Sequence, residues 1–195
     1  MAPIAADAEK YGKPAGRNAI SWLPTKLIWG AVGLRYERFI GSRFSIGTYA
    51  DWYFTGQQYF GDEEYTGIKV TPAFRYFFRH HEALGFYIQA SAIIGYFDFS
   101  KLNYVTDGSS SRYVYSVADF FWTGGAGFGV GAYFSFSRKN TAFLDLNVGW
   151  QILPANYPST VETPFGSTYE HYNTWWYMGG PGSFIEIKIA IGGIF

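Results

Sequence analysis

Apolar and polar residues alternate along most of this chain, in segments of about ten residues or more separated by turn-forming clusters. The last segment shows the pattern best. Ile185, Ile187, Ile189 and Ile191 share one phase with Phe195, while Glu186, Lys188, Ala190 and Gly192 share the other. Successive side chains of a β-strand point to opposite faces. The segment therefore reads as a strand with one apolar face and one small or charged face, suited to a wall between lipid and a packed polar lumen.

The same alternation predicts seven more strands. Gly16–Leu23 carries Ile20 and Trp22 on one face and is followed by a turn at Pro24-Thr25-Lys26. Ile28–Ile40 sets Val32, Leu34 and Tyr36 against Gly33, Arg35 and Glu37, and Gly41-Ser42-Arg43 turns the chain. Phe44–Phe54 and Gly67–Phe78 follow, joined by a polar loop over 55–66. Pro72 has no N–H to give to a ladder, so a bulge or local break is expected there. Gly85–Asn103, Tyr113–Phe136 and Thr141–Ile152 complete the set, and a long loop over 153–181 leads to the final strand. Residues 1–15, with Pro3 and Pro14, read as a loose tail, leaving 16–195 as one domain.

Connections alternate between short (41–43, 79–84, 137–140) and long (55–66, 104–112, 153–181). Outer-membrane barrels pair short periplasmic turns with longer external loops. The expected fold is all-β, an eight-stranded antiparallel up-and-down transmembrane β-barrel with both termini in the periplasm. Aromatic residues fall where two interfacial belts would lie. Trp22, Trp52, Trp122 and Trp150 mark the external end, and Phe39, Phe44, Phe78, Phe86, Phe134, Phe136 and Phe195 the periplasmic end.

Composition sharpens this reading. Aromatic residues make up 22% of the 195 residues and charged residues 15%, against about 25% charged in soluble domains. No apolar run reaches the ~18 residues of a transmembrane helix. The formal net charge is zero, which argues against nucleic acid as a partner. Cysteine is absent, excluding disulfides and thiolate chemistry. The first residues lack a positive region and a long apolar stretch, so no intact signal peptide is read, and a mature N-terminus is expected.

The inward phase collects Arg35, Lys69, Arg75 and Lys188 with Glu37, Asp51, Asp119, Asp145 and Glu186. Near-balanced charges in a lumen just wide enough for side chains point to a filled polar network. A narrow solute path is the alternative. Glycines at 125, 127, 129 and 131 share the inward phase of one strand and leave room either for a path or for large neighbours. A lipid-modifying enzyme would need a nucleophile oriented by His and an acid. The three histidines are His80 and His81 in a turn and His171 beside Glu170, with Ser159 and Ser167 in the same loop. Adjacent side chains on an extended segment point apart, so no catalytic set is assigned. No phosphate loop, metal spacing or cofactor motif is found. In the long loop, Tyr157, Tyr169, Tyr172, Trp175 and Trp176 form a candidate partner-binding cluster, because clustered exposed aromatics mark binding surfaces; the alternative is that Trp175, Trp176 and Tyr177 extend the last two strands and complete the external belt.

Several stretches carry a resemblance: Arg17-Asn-Ala-Ile-Ser, Gly30-Ala-Val-Gly-Leu-Arg-Tyr-Glu-Arg-Phe39, Phe44-Ser-Ile-Gly47, Pro72-Ala-Phe-Arg-Tyr-Phe-Phe78 and Gly85-Phe-Tyr87. Over 16–195 the chain resembles small outer-membrane β-barrel proteins of Bacteroidetes, a family catalogued as an outer-membrane β-barrel domain or a domain of unknown function. The resemblance implies the eight-stranded fold and the outer membrane, and it implies no activity. The expected role is a non-enzymatic structural or accessory subunit in contact with outer-membrane lipid and with other outer-membrane proteins. A small pore or hydrophobic-solute conduit is the alternative.

Overall fold

A computed structural model describes the backbone of residues 16–41, 43–55, 63–78, 84–106, 112–136, 142–155, 160–162, 168–170 and 174–195. Side chains are described for 16–41, 43–54, 65–78, 85–98, 120–136, 142–155 and 176–195. The expected tail over 1–15 lies outside these residues.

The chain forms a closed antiparallel barrel of eight strands. In order they are β1 (Asn18–Trp22), β2 (Ala31–Ile40), β3 (Phe44–Thr55), β4 (Glu63–Phe77), β5 (Leu84–Thr106), β6 (Arg112–Ser135), β7 (Ala142–Ile152) and, after the long connection, β10 (Ile185–Ile194). Within that connection lie a small hairpin, β8 (Thr160–Glu162) and β9 (Thr168–Glu170), and a short helix, α2 (Thr174–Met178). A four-residue helix, α1 (Thr25–Ile28), joins β1 to β2. Each wall strand pairs with its sequence neighbour, and β1 pairs with β10 through Ala19↔Ile194 to Trp22↔Ile191. Reciprocal backbone bonds between Asn18 and Phe195, at 3.1 and 2.8 Å, seal this closing seam. Closure leaves no sheet edge in the barrel wall along these pairings.

The alternation read from the sequence sets the faces. On β10, Ile185, Ile187 and Ile191 are exposed, while Lys188 and Ala190 are buried. The four belt tryptophans, Trp22, Trp52, Trp122 and Trp150, all face outward, as do Phe44, Phe78, Phe86, Phe134, Phe136 and Phe195. Phe39 does not. It shares the phase of Arg35 and Glu37 on β2, so it turns inward and is buried against Phe77 and Tyr133. Strand parity outweighs the position of a residue near a strand end.

Boundaries differ from expectation at α1, at the start of β2 and at the loop after β3. The Pro24-Thr25-Lys26 turn is the start of α1, which is capped by Trp29 and followed by Gly30 with φ +63°. β2 therefore begins at Ala31 rather than at Ile28. The loop expected over 55–66 is shortened from both sides by β3 and β4. At Pro72, where a bulge or a local break is expected, the ladder breaks without a bulge. Val70↔Ile94 and Ala73↔Ser91 keep one register with β5 across the gap, and Pro72 still pairs with Thr48 of β3.

The inward glycines of β6 admit large neighbours. A Cβ at Gly131 would collide with the Tyr87 ring and lie 2.6 Å from the Leu146 carbonyl. One at Gly129 would press on the Asn147 amide at 3.1 Å. Of the two readings for these glycines, close packing describes what is found. Gly131→Val is therefore expected to lower stability by about 1–3 kcal/mol through overpacking, read as a lower urea midpoint. Ala132→Val, on the outward face of the same strand, is expected to stay within about 0.5 kcal/mol.

Candidate functional site

The inward side chains fill the lumen in layers. At the rim that holds the short turns, an aromatic layer of Phe39, Phe77, Tyr87, Tyr133 and Phe143 closes the barrel, with Tyr133 and Phe143 stacked at 4.7 Å. At the opposite rim, Tyr53, Tyr65, Ile93, Phe97, Phe121, Leu153 and Trp176 form a second apolar layer. Two charged clusters lie between them.

The cluster nearer the short turns is built from β2, β4 and β7. Arg75 Nη1 lies 2.8 Å from Asp145 Oδ2 and 3.3 Å from Glu37 Oε1. Arg35 Nη2 lies 3.2 Å from Glu37 Oε2, and the Arg35 guanidinium also pairs with Asp145. Neighbouring strands add further hydrogen bonds, while Arg35 Nε has no hydrogen-bond partner among the described residues. The Tyr87 hydroxyl donates to Asp145 Oδ1 at 2.6 Å, and Ser45 donates to Glu37. Arg75 Nε donates to Gln89 Oε1 at 2.9 Å, and the Tyr49 hydroxyl donates to the same oxygen at 2.9 Å. The Arg75 guanidinium also sits 4.2 Å from the centre of the Tyr87 ring. Two guanidinium groups thus face two carboxylates, and the cluster is formally neutral.

The second cluster joins α1, β3, β4 and β10. Lys26 Nζ lies 2.7 Å from Asp51 Oδ2 and also pairs with Glu186. Lys69 Nζ lies 3.2 Å from Glu186 Oε1, and Lys188 Nζ lies 2.7 Å from Glu186 Oε2. Three ammonium groups meet two carboxylates here. The surplus cation is shared with weaker partners: Lys69 donates to the Pro181 carbonyl at 3.3 Å, and Lys188 lies 4.6 Å from the centre of the Tyr49 ring. That contact also bridges the two clusters.

All eight lumen residues inferred from the sequence, Arg35, Glu37, Asp51, Lys69, Arg75, Asp145, Glu186 and Lys188, enter these two clusters. The side chain of Asp119 lies outside the described residues. The sequence reading missed Lys26, because strand parity does not extend through a helix. It also missed Tyr49, Tyr87 and Gln89, although their inward phase on β3 and β5 was legible and only their uncharged character hid them.

Trp176 corrects the expectation of an exposed aromatic cluster. It is fully buried, its indole N–H donates to the Leu153 carbonyl at 2.8 Å, and it contacts Tyr65, Phe97 and Phe121 at ring distances of 5.0 to 5.5 Å. The end of the long connection folds back over the barrel mouth, where Phe97 and Phe121 offer more apolar surface than water would. Tyr157 and Tyr172 lie outside the described residues, as do the side chains of Tyr169 on β9 and Trp175 on α2. His80, His81 and His171 lie outside them as well. Among the described residues no group of three or more His, Cys, Asp or Glu side chains is placed to hold a metal ion.

No family model, curated protein or solved structure matches this chain.

Arg75→Ala is expected to destabilise the barrel by about 3–5 kcal/mol, because Asp145 and Glu37 lose a buried partner. Arg75→Met with Asp145→Leu is expected to cost less than the sum of the two single changes. Chemical unfolding of the four proteins as a double-mutant cycle checks this. Additive costs would mean that the pair is not coupled.

Proposed function

We propose that this chain is an integral outer-membrane β-barrel that serves as a closed, non-enzymatic structural or accessory subunit, with its short turns and both termini on the periplasmic side. The observation that carries the reading is the contrast between its two faces. The outward face of the wall carries exposed Ile20, Leu34, Ile68, Ile94, Val130 and Ile187 between aromatic belts, while buried charge is confined to the lumen. In water that arrangement would leave a large apolar surface unsatisfied. In lipid it places every class of side chain in its preferred surroundings.

The filled lumen favours a structural role over the conduit. Both charged clusters and both apolar layers would have to part before a solute could cross. The resemblance to Bacteroidetes barrels agrees with the location and adds no activity. An accessory role follows from what such a barrel can offer: a rigid wall in the membrane and, at the loop rim, the long connection that α2 anchors through Trp176.

The test is reconstitution of the purified chain into liposomes, followed by capture of the tagged chain from native outer membranes in mild detergent. Insertion is expected without release of an entrapped small solute, and a stoichiometric membrane partner is expected to co-purify. Solute release at the level of an open porin would replace this reading with the conduit. A lone monomer would remove the accessory role.

A further inference from the structure

One charged side chain stands on the outward, otherwise apolar face of the wall. Among the described residues, Arg38 is the only charged side chain on the outward face between the tryptophan belt and the rim of short turns, and it is exposed. It occupies β2 two residues before the strand ends at Ile40. At about 3.3 Å per residue, that is roughly 7 Å along the strand. An arginine so placed reaches the interface with its head while its stem lies along apolar wall.

Arg38 stands at one end of a surface trough of about 630 Å³. The floor is β3, where Ile46 is followed by the small outward residue Thr48. The sides are Tyr36 on β2 and Phe74 on β4, and Pro72 lies opposite Thr48. The trough runs from Arg38 away from the turn rim, in the direction that the outward residues of β3 take from Ile46 to Thr48. The Tyr36 hydroxyl donates to Asn18 Oδ1 at 2.8 Å, and Asn18 is the β1 partner of Arg38, so a small polar patch adjoins the guanidinium.

We propose that this trough binds one acyl chain of an anionic glycerophospholipid of the periplasmic leaflet, with the lipid phosphate held by Arg38. The inference rests on the membrane reading above. Charge and direction both fit that occupant. A guanidinium matches phosphate in geometry and charge, and it sits where headgroups of that leaflet would lie. The apolar trough then leads toward the bilayer centre, as an acyl chain does. A second copy of the chain would bring its own apolar wall to this face and would leave Arg38 without an anion.

The experiment uses vesicles of equal parts phosphatidylglycerol and phosphatidylcholine. Flotation with the vesicles is scored first, and lipid retained after transfer to mild detergent is then counted by native mass spectrometry. The wild-type chain is expected to float and to retain phosphatidylglycerol in preference to phosphatidylcholine. Arg38→Gln is expected to reduce that preference about tenfold, the scale of one hydrogen bond to a charged group, and Arg38→Lys to keep part of it. Thr48→Trp, which fills the trough, is expected to lower retention of both lipids while flotation persists. Flotation with no preference, or with a preference that Arg38→Gln leaves unchanged, overturns the site and leaves the membrane reading standing. A wild-type dimer that Thr48→Trp dissociates without any change in lipid retention assigns the trough to a second copy and also overturns the proposal. Failure of the wild-type chain to float withdraws the membrane reading, and this one with it.

Discussion

The structure depends on neutralising charge inside a closed wall. A barrel of eight strands is just wide enough for side chains to fill, and Arg35, Arg75, Lys26 and Lys69 are each nearly inaccessible within it. Such groups are tolerated only when paired and hydrogen-bonded. The pairing spans the lumen: β2 meets β4 and β7, and β10 meets β4 and α1. A slip of one residue in any of these strands would send its charges to the outer wall. The ion pairs therefore act as a lock on register, and the outward apolar face follows from the same phase.

Around that lock the lumen is layered. Apolar layers at both rims keep water from the charges, which strengthens each pair relative to an open channel. The two clusters differ in kind. The arginine cluster is balanced, and it uses forked guanidinium groups that satisfy several oxygens at once. The lysine cluster carries three cations against two carboxylates and relies on the Pro181 carbonyl and the Tyr49 ring to take up the difference. Its carbonyl partner belongs to the connection that follows α2, so the closure of the mouth and the charge balance of the lumen are tied to one another.

Much of this was legible in the residues. Period-two alternation identified each wall strand and the face of nearly every side chain, and the eight lumen charges all point where parity put them. The misses have physical reasons. Phe39 lies near a strand end, as a belt residue does, but its phase matches Arg35 and Glu37. Lys26 sits in a helix of four residues, where a period of two has no meaning. Trp176 lies in a connection without periodicity, and no local pattern distinguishes an aromatic residue that plugs a barrel from one that faces a partner. Pro72 is not a miss: its absent N–H marks the site, and the pairing on both sides of β4 decides for the break over the bulge.

The sequence by itself determined the number of wall strands, their antiparallel order, the inward and outward sets, and the near balance of buried charge, because each of these depends on alternation along a strand and on the lengths of the connections between strands. Tertiary structure alone decided which charges meet, that they divide into two clusters, and that a tryptophan from the long connection closes one end. Those outcomes depend on the stagger between strands far apart in the chain, and on a helix and a loop that take their positions only once the barrel has closed.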